Sequence, residues 1–155
     1  MKISGVKSNN RRKAFEITAG RRTYVFPYAK LDVRPTAANK VADAYVDKEF
    51  GGEAFSYSLE SGEEGTVHID HVLEYNQDPA HMRDLLLYKL TLEAQRRVVR
   101  SALSRRELIR RLRTSPAQFY RLLDQTNYKK SVDQLLNLLR ILDCDIDLIV
   151  RERAA

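Results

Sequence analysis

SRRELIRRLRTSPAQFYRLLDQTNYKKSVDQLLNLLRIL, which runs from Ser104 to Leu142, is the stretch that decides the fold. Three helix-start signals divide it, because a hydroxyl side chain before an apolar run can accept a hydrogen bond from an unpaired N–H of a first helical turn. The signals are Ser104 with Glu107, Thr114-Ser115 before Pro116, and Ser131 with Gln134. Proline suits the first helical position, where its missing N–H would have no partner. The stretch therefore predicts three short helices.

Each predicted helix has one apolar face. The apolar residues recur at helical spacing, with Leu108, Ile109 and Leu112 in the first helix, Phe119, Leu122 and Leu123 in the second, and Leu135, Leu138, Leu139 and Leu142 in the third. Two amphipathic helices joined by a tight turn are what a helix-turn-helix requires. The first helix supports the second, and the second presents its polar face to a DNA groove.

This stretch resembles the lambda-repressor-like helix-turn-helix family, including the antitoxin-type regulators that share it. Leu108 sits where the family has its first-helix leucine, and Thr114-Ser115 where the recognition helix begins. Phe119 and Leu122 sit where that helix packs. The likeness covers roughly a quarter of the chain, less than a usual domain but typical of this motif.

The resemblance implies that the second helix and its flanks contact DNA. It implies that Pro116, Ala117, Gln118 and Arg121 face base edges, and that Thr114, Ser115 and the loop before the third helix face phosphates. Tyr120 shares the polar face of Gln118 and Arg121. Arginine can pair with guanine through two hydrogen bonds, and glutamine with adenine. The phosphate contacts expected from the loop are Asn127, Lys129, Lys130 and Ser131.

Two positions depart from the family pattern. Ile109 falls where the family usually has a small alanine that lets the helices approach. Arg113 falls where the family usually has glycine in the turn. A residue other than glycine in a left-handed turn costs on the order of 1 kcal/mol, which the turn can tolerate.

A dense arginine cluster surrounds the first of these helices, and Glu107 is the only acidic residue within it. Its members are Arg96, Arg97, Arg100, Arg105, Arg106, Arg110, Arg111 and Arg113. Such a surface can follow DNA phosphates, and contacts of that kind supply most nonspecific affinity. A solvated helix face is the alternative. We favour phosphate binding and include Arg105 and Arg106 among the predicted DNA-binding residues.

Charge is unevenly distributed along the 155 residues. Residues 1–42 carry a net charge of +8, residues 43–80 a net charge of −9, and residues 81–155 a net charge of +7, which gives +6 in total. The basic C-terminal part should attract nucleic acid and the acidic middle should repel it. The acidic part could instead mask the basic part, within one subunit or across a dimer.

The first 75 residues predict an antiparallel sheet of about five strands. A hairpin is expected over residues 14–26 with Gly20 in its turn, and further strands are expected near 41–47, 54–59 and 67–71. Asp78-Pro79 then begins a long amphipathic helix to about Ser101, with Met82, Leu86, Leu90, Ala94 and Val98 at every fourth position.

The chain after Leu142 predicts a terminal strand, because Ile146, Leu148 and Val150 alternate with other residues. A single strand must pair with the N-terminal sheet or with its copy in a second subunit. The second arrangement gives an isologous dimer, which suits a palindromic operator.

Other kinds of site are poorly supported. His68-Ile69-Asp70-His71 offers no compact metal triad on a strand, the single Cys144 has no catalytic partner, and no phosphate-binding loop or GxSxG motif occurs. We therefore predict neither an enzyme nor a cofactor or metal. No apolar run is long enough to cross a bilayer and no signal-peptide pattern opens the chain, which predicts a cytoplasmic protein without a membrane partner.

These observations predict an α+β protein. Residues 1–77 are expected to form a small antiparallel β-domain, and residues 78–155 a helical helix-turn-helix domain ending in a strand. The predicted function is DNA binding by a homodimer, as a bacterial transcriptional regulator. An antitoxin-type regulator would also bind a toxin through the β-domain. A protein-interaction module that has lost DNA binding is the alternative.

Overall fold

In the computed structural model, which describes residues 1–153, the fold is α+β, with two antiparallel sheets and five α-helices. The strands are β1 Ile3–Asn9, β2 Ala14–Ala19, β3 Arg22–Pro27, β4 Val41–Asp47, β5 Ala54–Leu59 and β6 Glu64–His68. The helices are α1 Ile69–Tyr75, α2 Pro79–Arg100, α3 Arg105–Leu112, α4 Pro116–Leu122 and α5 Val132–Ile141. Two units result, Met1–Met82 and a second beginning at Arg83, whereas the sequence predicted a boundary after residue 77.

The first sheet has the order β1-β2-β3 and contains the predicted hairpin. Ala19 pairs with Arg22 across the turn, and Gly20 has a φ of 60°, a conformation that favours glycine. Alternation along β2 buries Phe15 and Ile17 on one face. The hairpin prediction is confirmed, but β1 was not predicted, because its sequence ISGVKSN has little apolar alternation.

The second sheet has the order β4-β5-β6, so the single sheet of about five strands that the sequence predicted is wrong. The two sheets share one core. The Phe15 ring centroid lies 4.9 Å from that of Phe55 and 5.3 Å from that of Tyr57. Tyr57 is buried, its hydroxyl donates a 2.6 Å hydrogen bond to the carbonyl of Val33, and Gly65 pairs with it on β6.

The strand expected over residues 67–71 ends early, and α1 begins at Ile69. The His68 Nδ1 atom accepts a 3.2 Å hydrogen bond from the N–H of Asp70 and so caps the helix. Val72 and Leu73 then pack into the core. The helical spacing of Ile69, Val72 and Leu73 therefore determines the structure here. The strand that was predicted to continue to His71 does not form beyond His68.

Helix α2 begins at Pro79 as predicted. The Asp78 carboxylate accepts hydrogen bonds from the N–H of His81 at 3.3 Å and from the Tyr24 hydroxyl at 3.0 Å. The predicted buried face is only partly correct, because Leu86 is 43% exposed. Residues four apart drift by about 40° per step around a helix, so a long row of them cannot share one face. The buried positions follow the helical period instead and are Leu87, Thr91, Ala94 and Val98.

The predicted terminal strand does not form in the described single chain. Residues 144–153 have no regular secondary structure, and Leu148 and Val150 are 84% and 86% exposed. Neither sheet of the chain pairs with this segment. A lone strand leaves its N–H and C=O groups without partners, so alternation alone does not create one.

Among residues 1–153, no helix has both the length and the apolar character needed to span a bilayer.

Candidate nucleic-acid interface

Helices α3 and α4 are separated by a tight turn that local hydrogen bonds fix. The N–H of Thr114 donates to the carbonyl of Ile109 at 3.3 Å, and Arg113 has a φ of 54°, so the turn is left-handed at a residue other than glycine. The Ser115 Oγ atom accepts a 3.2 Å hydrogen bond from the N–H of Gln118 and caps α4 ahead of Pro116. This local geometry is what the sequence predicted for the turn.

The caps of the other two helices differ in one respect. Ser131 and Gln134 form both hydrogen bonds of a capping box at the start of α5. Ser104 accepts a 3.1 Å hydrogen bond from the N–H of Glu107, but the Glu107 carboxylate turns away to Arg110 and Arg111. The predicted box at Ser104 is therefore only half formed.

A small apolar core holds the three short helices together. Leu108 of α3, Phe119 of α4, and Leu135 and Leu138 of α5 are all fully buried. Because Phe119 and Leu122 point into this core, the opposite side of α4 must face outward. Helix α4 is thus a short, well-anchored element with one free side.

The free side of α4 carries the residues that the sequence had singled out. All five are exposed, namely Pro116, Ala117, Gln118, Tyr120 and Arg121. The Arg105 guanidinium of α3 lies 5.8 Å from the centre of the Tyr120 ring, which joins one predicted phosphate-binding residue to α4. Arg106 and Ser115 are also exposed, and Thr114 is half-buried.

An open groove of about 780 Å³ lies between α4, the following loop and α5. Its polar lining includes Arg113, Thr114, Gln118, Arg121, Asn127, Lys129, Gln134 and Asn137. Gln134 and Asn137 were not predicted as site residues. Their spacing of three residues on α5 could have indicated that they share one polar face.

Lys130 is not available for the phosphate contact that the sequence predicted. Its side chain is buried, and Nζ donates hydrogen bonds to the carbonyls of Leu122 at 2.9 Å and Asp124 at 2.7 Å. Burial lowers the pKa of Lys130, and the nearby Asp124 carboxylate partly opposes that shift. Lys130 therefore satisfies the carbonyls at the end of α4 instead of facing solvent, and we remove it from the interface.

We expect Lys130→Met to lower the free energy of unfolding of the second unit by about 1–3 kcal/mol, because two carbonyls lose their donor. Urea-induced unfolding, monitored by the hydrogen exchange of the α4 amides, measures this loss. Lys129→Met is the matched control, since Lys129 is exposed, and its effect should stay within about 0.5 kcal/mol. Equal effects of the two substitutions would contradict the assigned role of Lys130.

Asn127 organises the loop as well as lining the groove. Its amide group donates a 3.1 Å hydrogen bond to the carbonyl of Arg121 and accepts a 3.0 Å bond from the N–H of Lys129. Asp124 also lines the groove, and hydrogen bonds from the Thr126 side chain and N–H lower the pKa of its carboxyl. Asp124 is thus an anion beside the predicted cations, which the sequence analysis had overlooked.

The arginine cluster is partly neutralised. Arg110 and Arg111 donate to Glu107 at 3.0 and 3.1 Å, and these hydrogen bonds lower the pKa of Glu107 to about 2. Arg96 and Arg97 likewise pair with Glu93 on α2, an acidic residue just outside the cluster. Within residues 1–153, the cluster members without a carboxylate within 4.0 Å are Arg100, Arg105, Arg106 and Arg113.

Two other groups of potentially reactive side chains lie around His68 and at Cys144. His68 lies near Glu53 and Asp70 in the first unit, but no set of three or more His, Cys, Asp or Glu residues among the described ones could hold a metal ion. Cys144 is half-buried at the end of α5 and its thiol lies 3.6 Å from the carbonyl of Leu142.

Comparison with known proteins gives no relative for this chain: no protein-family model matches it, and neither a curated protein nor a solved structure is significantly similar.

Proposed function

We propose that this chain is a cytoplasmic DNA-binding transcriptional regulator that inserts α4 into the major groove of duplex DNA. It acts as a homodimer on two half-sites about 34 Å apart, the spacing of one helical turn. The proposal follows from the anchored helix and its free polar side, together with the resemblance of residues 104–142 to the lambda-repressor-like family.

The observation that carries the proposal is the pairing of two properties in α4. Phe119 and Leu122 are buried and fix the helix, whereas Gln118 and Arg121 are exposed on its other side. Side chains that read bases must reach out from a rigid element, because loosely held groups lose affinity and specificity. Arg121 would pair with guanine and Gln118 with adenine.

The surroundings of α4 support the same use. Lys129 is exposed on the loop after the helix, and Arg105 and Arg106 are exposed at the start of α3. These cations would hold the phosphates on either side of the groove and set the register of the helix. Thr114 and Ser115 would add hydroxyl contacts at the turn.

A duplex-binding titration tests the proposal. A dye-labelled pool of random duplex DNA is expected to bind at low salt, with affinity that falls steeply as salt rises. Fragments selected from the pool should share a preferred sequence. Arg121→Ala should relax the preference at one position per half-site by about 1–3 kcal/mol, and Lys129→Ala should weaken binding to all sequences equally.

Arg12→Ala is the matched control, because Arg12 is an exposed arginine of the first unit that pairs with Glu16. It removes the same charge and should leave the sequence preference unchanged. If Arg12→Ala and Arg121→Ala have the same effect on sequence preference, α4 is not the reading element.

A protein partner for the first unit is a second candidate function. Tyr45 and Phe50 are 48% and 53% exposed on this unit, beside the exposed carboxylates of Asp43 and Glu49. Exposed aromatic residues are typical of protein interfaces. The antitoxin-type version of the proposal assigns this surface to a basic toxin. A chain that binds no duplex at low salt would instead be an interaction module.

A further inference from the structure

Several large apolar side chains that follow α5 are exposed. Asp143, two residues after α5, has a left-handed conformation, and the N–H of Cys144 donates a 3.0 Å hydrogen bond to the carbonyl of Leu139. This helix stop fixes where the chain leaves the core. The C-terminal segment, residues 145–151, then runs through Leu148, which is 84% exposed.

Exposure of several adjacent apolar side chains indicates an interaction surface. Ile146, Leu148, Ile149 and Val150 are all exposed in this segment. An extended segment also offers unpaired N–H and C=O groups that a second strand can satisfy. Within residues 1–153, no other strand of the chain does so.

The segment, DIDLIVR, can pair with a reversed copy of itself through apolar residues on one face and opposite charges at its ends. In an antiparallel pair centred on Leu148, Asp145 lies opposite Arg151, and Ile146 lies opposite Val150. The two Leu148 side chains meet at the two-fold axis. Each strand thus contributes three apolar side chains to one face, and each end carries an opposite-charge pair on the second face, where Asp147 lies opposite Ile149.

Two other pairings of the segment each place unfavourable neighbours opposite one another on the apolar face or at the charged ends. A parallel pair in register would put Asp145 opposite Asp145 and Arg151 opposite Arg151, and like charges directly opposite are destabilising. An antiparallel pair centred on Ile149 would form two opposite-charge pairs at each end, Asp145 with Arg153 and Asp147 with Arg151, but it would put Ile146 opposite Glu152 and so break the apolar face. The charge pattern therefore selects an antiparallel pair over a parallel one, and the unbroken apolar face of Ile146, Leu148 and Val150 selects Leu148 as its centre.

We infer that the C-terminal segment forms a two-stranded antiparallel ribbon with the same segment of a second copy, centred on Leu148. A two-stranded ribbon is only marginally stable by itself. The half-buried Ile141, Leu142 and Cys144 border the segment and belong to the core of the second unit. The ribbon would therefore begin directly after residues that pack against that core.

This inference rests on the proposed function, because binding to a palindromic site requires two copies of the chain. It names the surface through which the copies meet. The ribbon itself involves no residue of α4, so it can be tested without DNA.

Sedimentation equilibrium of the full chain and a charge-swap cycle test the ribbon. The unmodified chain is expected to be a dimer. Asp145→Arg alone and Arg151→Asp alone should each weaken the dimer roughly tenfold, because each turns an attractive pair, present twice, into a repulsive one. The double variant should recover most of the affinity. Both positions are exposed, so neither change should disturb folding of the monomer.

The double variant also tests the centre of the pair. In a pair centred on Ile149, residue 145 faces Arg153 and residue 151 faces Asp147, so the double swap would worsen both contacts. Failure of the double variant to restore the dimer would overturn the inference. A monomeric unmodified chain would overturn it as well.

A matched pair of threonine substitutions tests the apolar face. Leu148→Thr should weaken the dimer at least roughly tenfold, because two apolar side chains are lost at the centre. Ile149→Thr lies on the charged face and should change the affinity by less than about threefold. Equal effects would overturn the assignment of faces.

The outcomes separate this inference from the proposed function. A chain that dimerises through the segment but binds no duplex would retain the ribbon and reject the DNA-binding proposal. A chain that binds duplex while Leu148→Thr leaves its dimer intact would retain DNA binding and reject the ribbon.

Discussion

Phe119→Ala is expected to lower the free energy of unfolding of the second unit by about 3–5 kcal/mol. Phe119 is fully buried at the centre of the core that joins α3, α4 and α5, where Leu108 and Leu135 are also fully buried. The substitution removes the aromatic side chain and leaves a cavity that the surrounding buried side chains close only in part. Hydrogen exchange of α5 amides in increasing denaturant measures the loss in this unit alone.

Tyr120→Ala is the control for Phe119→Ala, because it removes a similar ring from the next residue. Tyr120 is 50% exposed. Its ring makes an edge-to-face contact with Phe119 at 5.6 Å between centroids and a cation–π contact with Arg105, worth about 0.5–1.5 and about 0.5–1 kcal/mol respectively. The change in stability should therefore stay below about 2 kcal/mol. A smaller loss for Phe119→Ala than for Tyr120→Ala would show that α4 is not anchored through Phe119.

Gly65→Ala should destabilise the first unit by about 3 kcal/mol, near the upper end of the range for overpacking. A methyl group on Gly65 would lie 2.5 Å from Cζ of Tyr57, much closer than real contacts allow. The Tyr57 ring is buried among the two sheets and cannot move without breaking its hydroxyl bond to Val33. Hydrogen exchange of β5 and β6 amides measures the effect.

Gly5→Ala is the matched control for Gly65→Ala. Gly5 is also a strand glycine, its φ is not positive, and a methyl group built there meets nothing within 4 Å. The substitution should change the stability of the first unit by no more than about 0.5 kcal/mol. Equal destabilisation at the two glycines would contradict the close packing of Tyr57 over Gly65.

Sequence reasoning succeeded where the determinants of structure are local. Ser115 with Pro116 marked the start of α4, and Asp78 with Pro79 marked the start of α2, because caps and prolines act within one turn. Gly20 likewise marked the hairpin turn. The polar side of α4 followed from its apolar residues, since a helix that buries one face exposes the other.

Sequence reasoning failed where distant contacts decide the outcome. Residues 67–71 alternate as a strand would, yet Val72 and Leu73 gain more by packing into the sheet core as part of a helix. Lys130 follows the exposed Lys129, but its ammonium group donates hydrogen bonds to two carbonyls at the end of α4, so its side chain is buried. The core that receives Val72 and Leu73 and the carbonyls that bind Lys130 cannot be identified from the residues next to them in the sequence.

Because Arg113 has a left-handed conformation, a glycine at this position is expected to increase the stability of the second unit. Glycine there would relieve backbone strain on the order of 1 kcal/mol, and the packing of Leu108 and Phe119 would be untouched. The same exchange would delete a cation that has no carboxylate beside it and lines the polar groove. Thermal stability and affinity for a polyanion thus make opposite demands on residue 113, and under the proposed function Arg113→Gly is expected to weaken DNA binding.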